Sequence, residues 1–124
     1  MLRLFSLFGR SAEMNALEDA LRAAGLHPVL VPDAVKLTVI RLCRRTGAEG
    51  AASRAGAAEL LAFCLLGRSG HAEANGEAAA EMAERRLEAA IAEGDSFDAR
   101  IILLALHAGL IAPEIAERCE IGER

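Results

Sequence analysis

SFDARIILLALHAG, residues 96–109, reads as a helix that little water reaches. Asp95 or Ser96 supplies an N-cap, and Gly109 supplies a C-terminal stop. Between them Phe97, Ile101, Leu104, Ala105 and Ala108 share one face. Ile102, Leu103 and Leu106 widen the apolar arc well beyond the stripe of a surface helix. DAVKLTVIRLCRR, residues 33–45, has the same character, with Val35, Leu37, Val39, Ile40, Leu42 and Cys43 leaving few polar positions. Two such helices in one chain predict an all-α bundle in which 33–45 and 97–108 lie innermost.

The flanking sequence supplies their neighbours. Ser11 can cap a helix to Ala24, with Met14, Leu17, Leu21 and Ala24 on one stripe and Gly25 as its stop. LHPVLVP, residues 26–32, carries two prolines and predicts an extended, Pro-flanked linker lying on the bundle. A third helix is expected over about 52–66, ended by GRSG at 67–70. A fourth runs from Glu77 to Glu93, with Ala80, Ala83, Leu87, Ala90 and Ile91 inward and Gly94 as its stop. Glu81 and Arg85 form an i,i+4 pair of favourable order. Pro113 opens a short last helix to about Cys119. The expectation is a compact single-domain bundle of five main helices and a short C-terminal one. It comprises an apolar N-terminal segment (1–10) and the bundle proper (11–124).

Composition narrows the function classes. The chain has 124 residues, 53% of them hydrophobic and only 3% aromatic, with no Trp or Tyr. Leu, Ile, Val, Ala and four Phe must build the core. The scarcity of aromatic faces weighs against single-stranded nucleic acid and carbohydrate, which are commonly gripped by stacking. The net charge of −4 is unevenly spread. Met1–Ala48 carries seven Arg/Lys against four Asp/Glu, a balance of +3; Glu49–Arg124 carries seven Arg against fourteen Asp/Glu, a balance of −7. Ordinary solvated helix faces account for this, and antiparallel self-association would exploit it.

Cys43, Cys64 and Cys119 are far apart, odd in number and set among apolar residues, which suits reduced thiols in a cytoplasmic protein. The longest apolar-rich run, Ile101–Ala112, is about half the ~20 residues needed to cross a bilayer, so no transmembrane segment is expected. Leu4–Phe8 is too short for a secretory core, and the cytoplasm is the expected location.

Chemical motifs are sparse. No nucleotide, hydrolase or HExxH signature occurs, and no cofactor is expected. His71, Glu73 and Glu77 do not share a helix face well and read as solvated rather than metal-binding. Cys64 and His71 are seven apart, but GRSG separates them. His107 near the Gly109 stop and His27 before Pro28 have sufficient structural roles. Ala105, Gly109 and Ile115 match the spacing of a helix-turn-helix, in which Ala allows close approach and Gly makes the turn. Arg118 breaks the apolar pattern, and Glu114, Glu117 and Glu120 would repel phosphate.

The N-terminal segment places two of the four phenylalanines before the first capped helix. Leu2, Leu4, Phe5 and Phe8 are the candidate contact residues for a partner or a dimer. The sequence therefore reads as a non-catalytic helical interaction module that self-associates, as a homodimer or with another protein. The alternative is a binder of a small apolar or acyl ligand held between helices. DNA binding through the C-terminal hairpin is the third reading.

Overall fold

In a computed structural model the chain is all-helical. The backbone is described for residues 2–46 and 50–123, and side chains for 12–46 and 53–119. Six α-helices occur among the described residues, in order: α1 (Leu2–Ala23), α2 (Asp33–Thr46), α3 (Gly50–Asn75), α4 (Glu77–Glu93), α5 (Phe97–His107) and α6 (Pro113–Glu123). No β-strand occurs among the described residues.

Helix ends follow local chemistry. Ser96 caps α5 by accepting a hydrogen bond from the Ala99 amide at 3.1 Å. α1 and α5 end alike. Gly25 (φ 88°) and Gly109 (φ 74°) adopt the left-handed turn that a side chain would disfavour. The amides of Leu26 and Leu110 then reach back to the Leu21 and Ala105 carbonyls, at 2.9 and 2.8 Å. Each end is a Schellman motif, so the shared Ala-Gly-Leu tripeptides are two uses of one stop signal.

Three expectations need correction at the level of the elements. The N-terminal segment is not separate: α1 starts at Leu2, and Ser11 lies inside it instead of capping it. Leu and Arg are good helix formers and no proline interrupts residues 2–10, so the helix continues back through them. The linker at 26–32 is not wholly extended. Pro28–Leu30 form a single 3-10 turn, capped by His27 Nδ1, which accepts from the Val29 amide at 3.1 Å. GRSG interrupts the third helix without ending it. Gly67 breaks the helical path (φ 79°, ψ 172°), and helix resumes to Asn75.

The innermost helix is α3, not α2 or α5. It packs against α1, α2, α4, α5 and α6. Ala57, Ala58 and the run Leu60–Cys64 are completely buried. By contrast α2 exposes Leu37 and α5 exposes Leu103. Alanines at 57, 58 and 62 let neighbours approach closely on several sides of one helix. Bulkier residues in α2 and α5 attract attention in the sequence, but each of those helices keeps a wet side.

Two polar features fix neighbours to this centre. Gly67 lies where the chain between α5 and α6 crosses α3, and the Ala112 amide donates to the Cys64 carbonyl at 2.7 Å. Lys36 on α2, only 3% exposed, reaches Glu18 on α1 at 2.9 Å, with Asp33 at 3.7 Å. A buried ammonium must be neutralised, so this pair fixes the register of α2 on α1.

Gly67→Ala should destabilise the protein by about 1–3 kcal/mol, because its backbone angles are essentially restricted to glycine. A Cβ there would also come within 2.6 Å of Glu114 Oε2. Gly56→Ala, inside the helix and meeting nothing closer than 3.6 Å, should stabilise by about 0.5–1 kcal/mol. Urea midpoints of the two variants check both signs.

Candidate functional site

A cavity of about 380 Å³ opens between α1, α3 and α4. Its wall is mostly alanine: Ala20, Ala23 and Ala24 at the end of α1, Ala55 on α3, Ala79 and Ala83 on α4. Small side chains on three helices that meet at one end leave this space. Its polar lining comes from His71, Asn75 and Glu59 of α3 and Arg86 of α4, with exposed Met82 beside them.

His71 is only 2% exposed. Phe63 packs against its ring at 5.6 Å between centroids, with the ring planes at 87°. Asn75, one turn on, lies with Nδ2 3.3 Å from His71 Nδ1 and donates to the Ala24 carbonyl at 2.7 Å. The Asn75 amide has two hydrogens. With one on Ala24, the other meets His71 Nδ1, which then accepts, leaving the imidazole proton on Nε2. Burial pushes the His71 pKa down, opposed by the Glu59 charge, so the ring is neutral at pH 7.

Arg86 is already committed. Its Nε and Nη2 donate to the two Asp98 oxygens at 2.9 Å each, and Nη2 also donates to the Gly56 carbonyl at 3.0 Å. Glu59 stands 3.6 Å from Nη1 and is itself exposed. The Asp98 hydrogen bond raises the Arg86 pKa against the effect of burial. The rim therefore has one satisfied guanidinium and one carboxylate, Glu59, with Asp98 behind Arg86 and outside the lining.

A second space, about 260 Å³, lies between α4, α5 and α6 and is lined by Ile91, Ile102, Leu103, Leu106 and Cys119. Among the described residues, none that lines it is charged. Beside it, Arg118 of α6 donates to Glu84 at 2.6 Å and Glu88 at 3.2 Å, while Arg68 of α3 donates to Glu84 at 2.7 Å. The Arg68 hydrogen bond, followed by that of Arg118, holds the Glu84 carboxyl below its ordinary range.

Solvated was the wrong reading of His71: it is enclosed, because helix resumes beyond Gly67 and carries residue 71 back under α1. Glu73 and Glu77 are exposed. Among the described residues, no group of three or more His, Cys, Asp or Glu is arranged to hold a metal. Cys64 is completely buried, and burial pushes its thiol up to about 12, so it is not poised as a nucleophile. Burial also raises the Cys43 thiol. Ala105 and Ile115 are buried on either side of the Gly109 turn, but α6 packs on α4 and α3, so the helix-turn-helix spacing marks a turn between helices and not a paired hairpin. Arg118 is turned onto α4. Leu2, Leu4, Phe5 and Phe8 belong to α1, but their side chains lie outside the described residues. No helix among the described residues is long and apolar enough to cross a membrane.

Sequence reasoning missed Asn75, Arg86 and Lys36 as well as the burial of His71. The usable signal was the i,i+4 spacing of His71 and Asn75, which puts an imidazole and an amide on one helix face. No protein-family model matches the chain, and no curated protein or solved structure is significantly similar to it.

The lowered pKa of His71 has a sign for stability. In the window between the buried and unfolded imidazole pKa values, the unfolded chain binds more protons, so stability rises with pH there. It should be full above about 6.5, the ordinary histidine value, and fall as pH drops below that until the buried ring itself is protonated. Urea midpoints from pH 7.5 to 5 should show this loss in the wild type and a flatter profile in His71→Leu.

Proposed function

We propose that this chain is a non-catalytic helical interaction module whose partner is a second copy of itself. One observation carries the reading. The 3-10 turn buries Pro28 and Val31 and thereby turns Val29 and Leu30 outward, 75% and 51% exposed. The next exposed large aliphatic, Leu37, follows on α2. On that helix Ala34, Leu37, Arg41 and Arg45 share one exposed face. Adjoining apolar and basic groups are what a partner with an acidic, partly apolar face would cover.

The chain itself carries such a face. α4 exposes Glu77, Glu81 and Glu88 along one stripe, each beside an arginine of the chain (Arg68, Arg85 and Arg118), and exposes Met82 on the adjoining side. Twofold pairing would apply each basic face to the partner's acidic face twice over, the self-complementarity that a symmetric dimer requires. Three aliphatic side chains fall well short of the roughly 20–30 residues a side in a standard interface. The proposal therefore retains Leu2, Leu4, Phe5 and Phe8 as further contact residues and anticipates weak, concentration-dependent association. A cytoplasmic location belongs to the same proposal, supported by three buried cysteines, none of them in a disulfide. DNA binding draws no support from α6, where Arg118 is held by Glu84 and Glu88 beside exposed Glu114 and Glu117.

Size-exclusion chromatography with light scattering tests the reading. The wild type should move from monomer toward dimer at high micromolar concentration, and less so at high salt. Replacing Val29, Leu30 and Leu37 together by Ser should give monomer with unchanged far-UV circular dichroism. A wild type that stays monomeric throughout, or a triple variant that associates equally well, overturns it.

A further inference from the structure

We propose that the alanine-walled cavity between α1, α3 and α4 is a binding site for a small, uncharged, mainly aliphatic molecule, whose carbonyl or hydroxyl oxygen accepts a hydrogen bond from buried His71. This site is independent of self-association and uses none of the residues assigned to it except Met82 at the rim.

The polarity of the ligand follows from hydrogen-bond accounting. His71 lines the cavity while being almost wholly buried. Its Nδ1 faces Asn75, whose second amide hydrogen is taken by Ala24. The proton thus sits on Nε2, and among the described residues no protein acceptor meets that nitrogen. A buried N–H needs an acceptor, and a ligand oxygen in the cavity would supply one. Phe63 against the ring limits how it can turn.

The rim selects against charge. Arg86 spends its strongest donors on Asp98 and Gly56, leaving little for an anion. Counted with Asp98 and Glu59, the cluster around Arg86 is net negative and repels carboxylates. An ammonium ligand would suit Glu59 but has no lone pair for the His71 proton. An oxygen acceptor on an uncharged body satisfies both constraints. Size follows from volume: about 380 Å³ is room for a short aliphatic chain rather than for a single water molecule. Six alanines offer methyl groups and nothing else, which favours an aliphatic chain over a polar one.

Octanamide is a probe of suitable size, with octanoate and octylammonium as charged counterparts. Titration of the ¹⁵N-labelled protein, followed through the His71 ring and backbone amides, should give saturable shifts at millimolar octanamide, focused on His71, Asn75 and Ala83. Octanoate and octylammonium should bind at least about ten-fold more weakly, given the cost of burying an unpaired charge. His71→Leu should weaken octanamide by about three- to ten-fold, the range of a single neutral hydrogen bond. Ala79→Leu should fill the cavity and abolish the shifts. Ala23→Leu at the mouth offers the same test should Ala79→Leu fail to fold. Absence of saturable shifts in the wild type, octanoate binding as tightly as octanamide, or undiminished binding in a folded cavity-filling variant would overturn the proposal. The same titration on the variant with Val29, Leu30 and Leu37 replaced by Ser, none of which lines the cavity, separates failure of ligand binding from failure of self-association.

Discussion

Close approach around α3 is the constraint on which the other helices depend. Five neighbours can share one helix only if its side chains are small where backbones converge and large where gaps remain. The run from Ala57 to Cys64 does both: alanines at 57, 58 and 62, with Leu60, Leu61 and Phe63 between them, all without exposed surface. Each large side chain buried this way contributes about 1.5–3 kcal/mol relative to an exposed one. Replacing the alanines by bulkier residues would add apolar area but separate the helices, and overpacking is destabilising in its own right. The modest hydrophobicity of this stretch is therefore what makes it central.

Charged side chains then select one arrangement among the many that greasy helices allow. Lys36 with Glu18 relates α2 to α1; Arg86 with Asp98 and Gly56 relates α4 to α5 and α3; Glu84 holds both Arg68 of α3 and Arg118 of α6. Partly exposed pairs of this kind add little net stability. Their effect is on register, because sliding α4 or α6 by one turn would leave a half-buried guanidinium or carboxylate unpaired. The Gly67 break works in the same direction: it opens α3 where the Ala112 amide can reach the Cys64 carbonyl, anchoring the α5–α6 connection by backbone alone.

Local features of the chain were legible in the sequence, and long-range ones were not. Periodicity at Met14–Ala24, Glu77–Glu93 and Phe97–Ala108, and the stops at Gly25, Gly94 and Gly109, depend on neighbours within a turn or two, so reading them needs no knowledge of packing. The central place of α3 was hidden, because hydrophobic runs rank Ile and Leu above Ala although interhelical distance rewards Ala. His71 was misjudged for a related reason. Its neighbours in sequence are polar, whereas its burial comes from Phe63 across the Gly67 break and from the end of α1. Asn75 meets Ala24 across 51 positions, and Lys36 meets Glu18 across 18. Pairings at such separations leave no periodic trace. The apolar opening of the chain was legible as composition, but composition alone does not say which surface it covers.

A buried imidazole needs a physical reason in an alanine-lined space, since an aliphatic side chain of similar volume would pack there without desolvating two nitrogens. One nitrogen has its reason in Asn75. That amide joins the last carbonyls of α1 to the end of α3, and Gly25 keeps the two backbones close enough for it: a Cβ at 25 would lie 2.6 Å from the Ala74 Cβ. The same contact that closes α1 on α3 also sets which His71 nitrogen carries the proton. Helix closure and the donor character of the cavity are thus one arrangement, and loosening the α1 terminus would change the chemistry of the pocket without touching its wall. The other nitrogen has no such structural role among the described residues. It is the point at which packing alone ceases to account for the sequence, and therefore where a ligand's contribution is physically most economical.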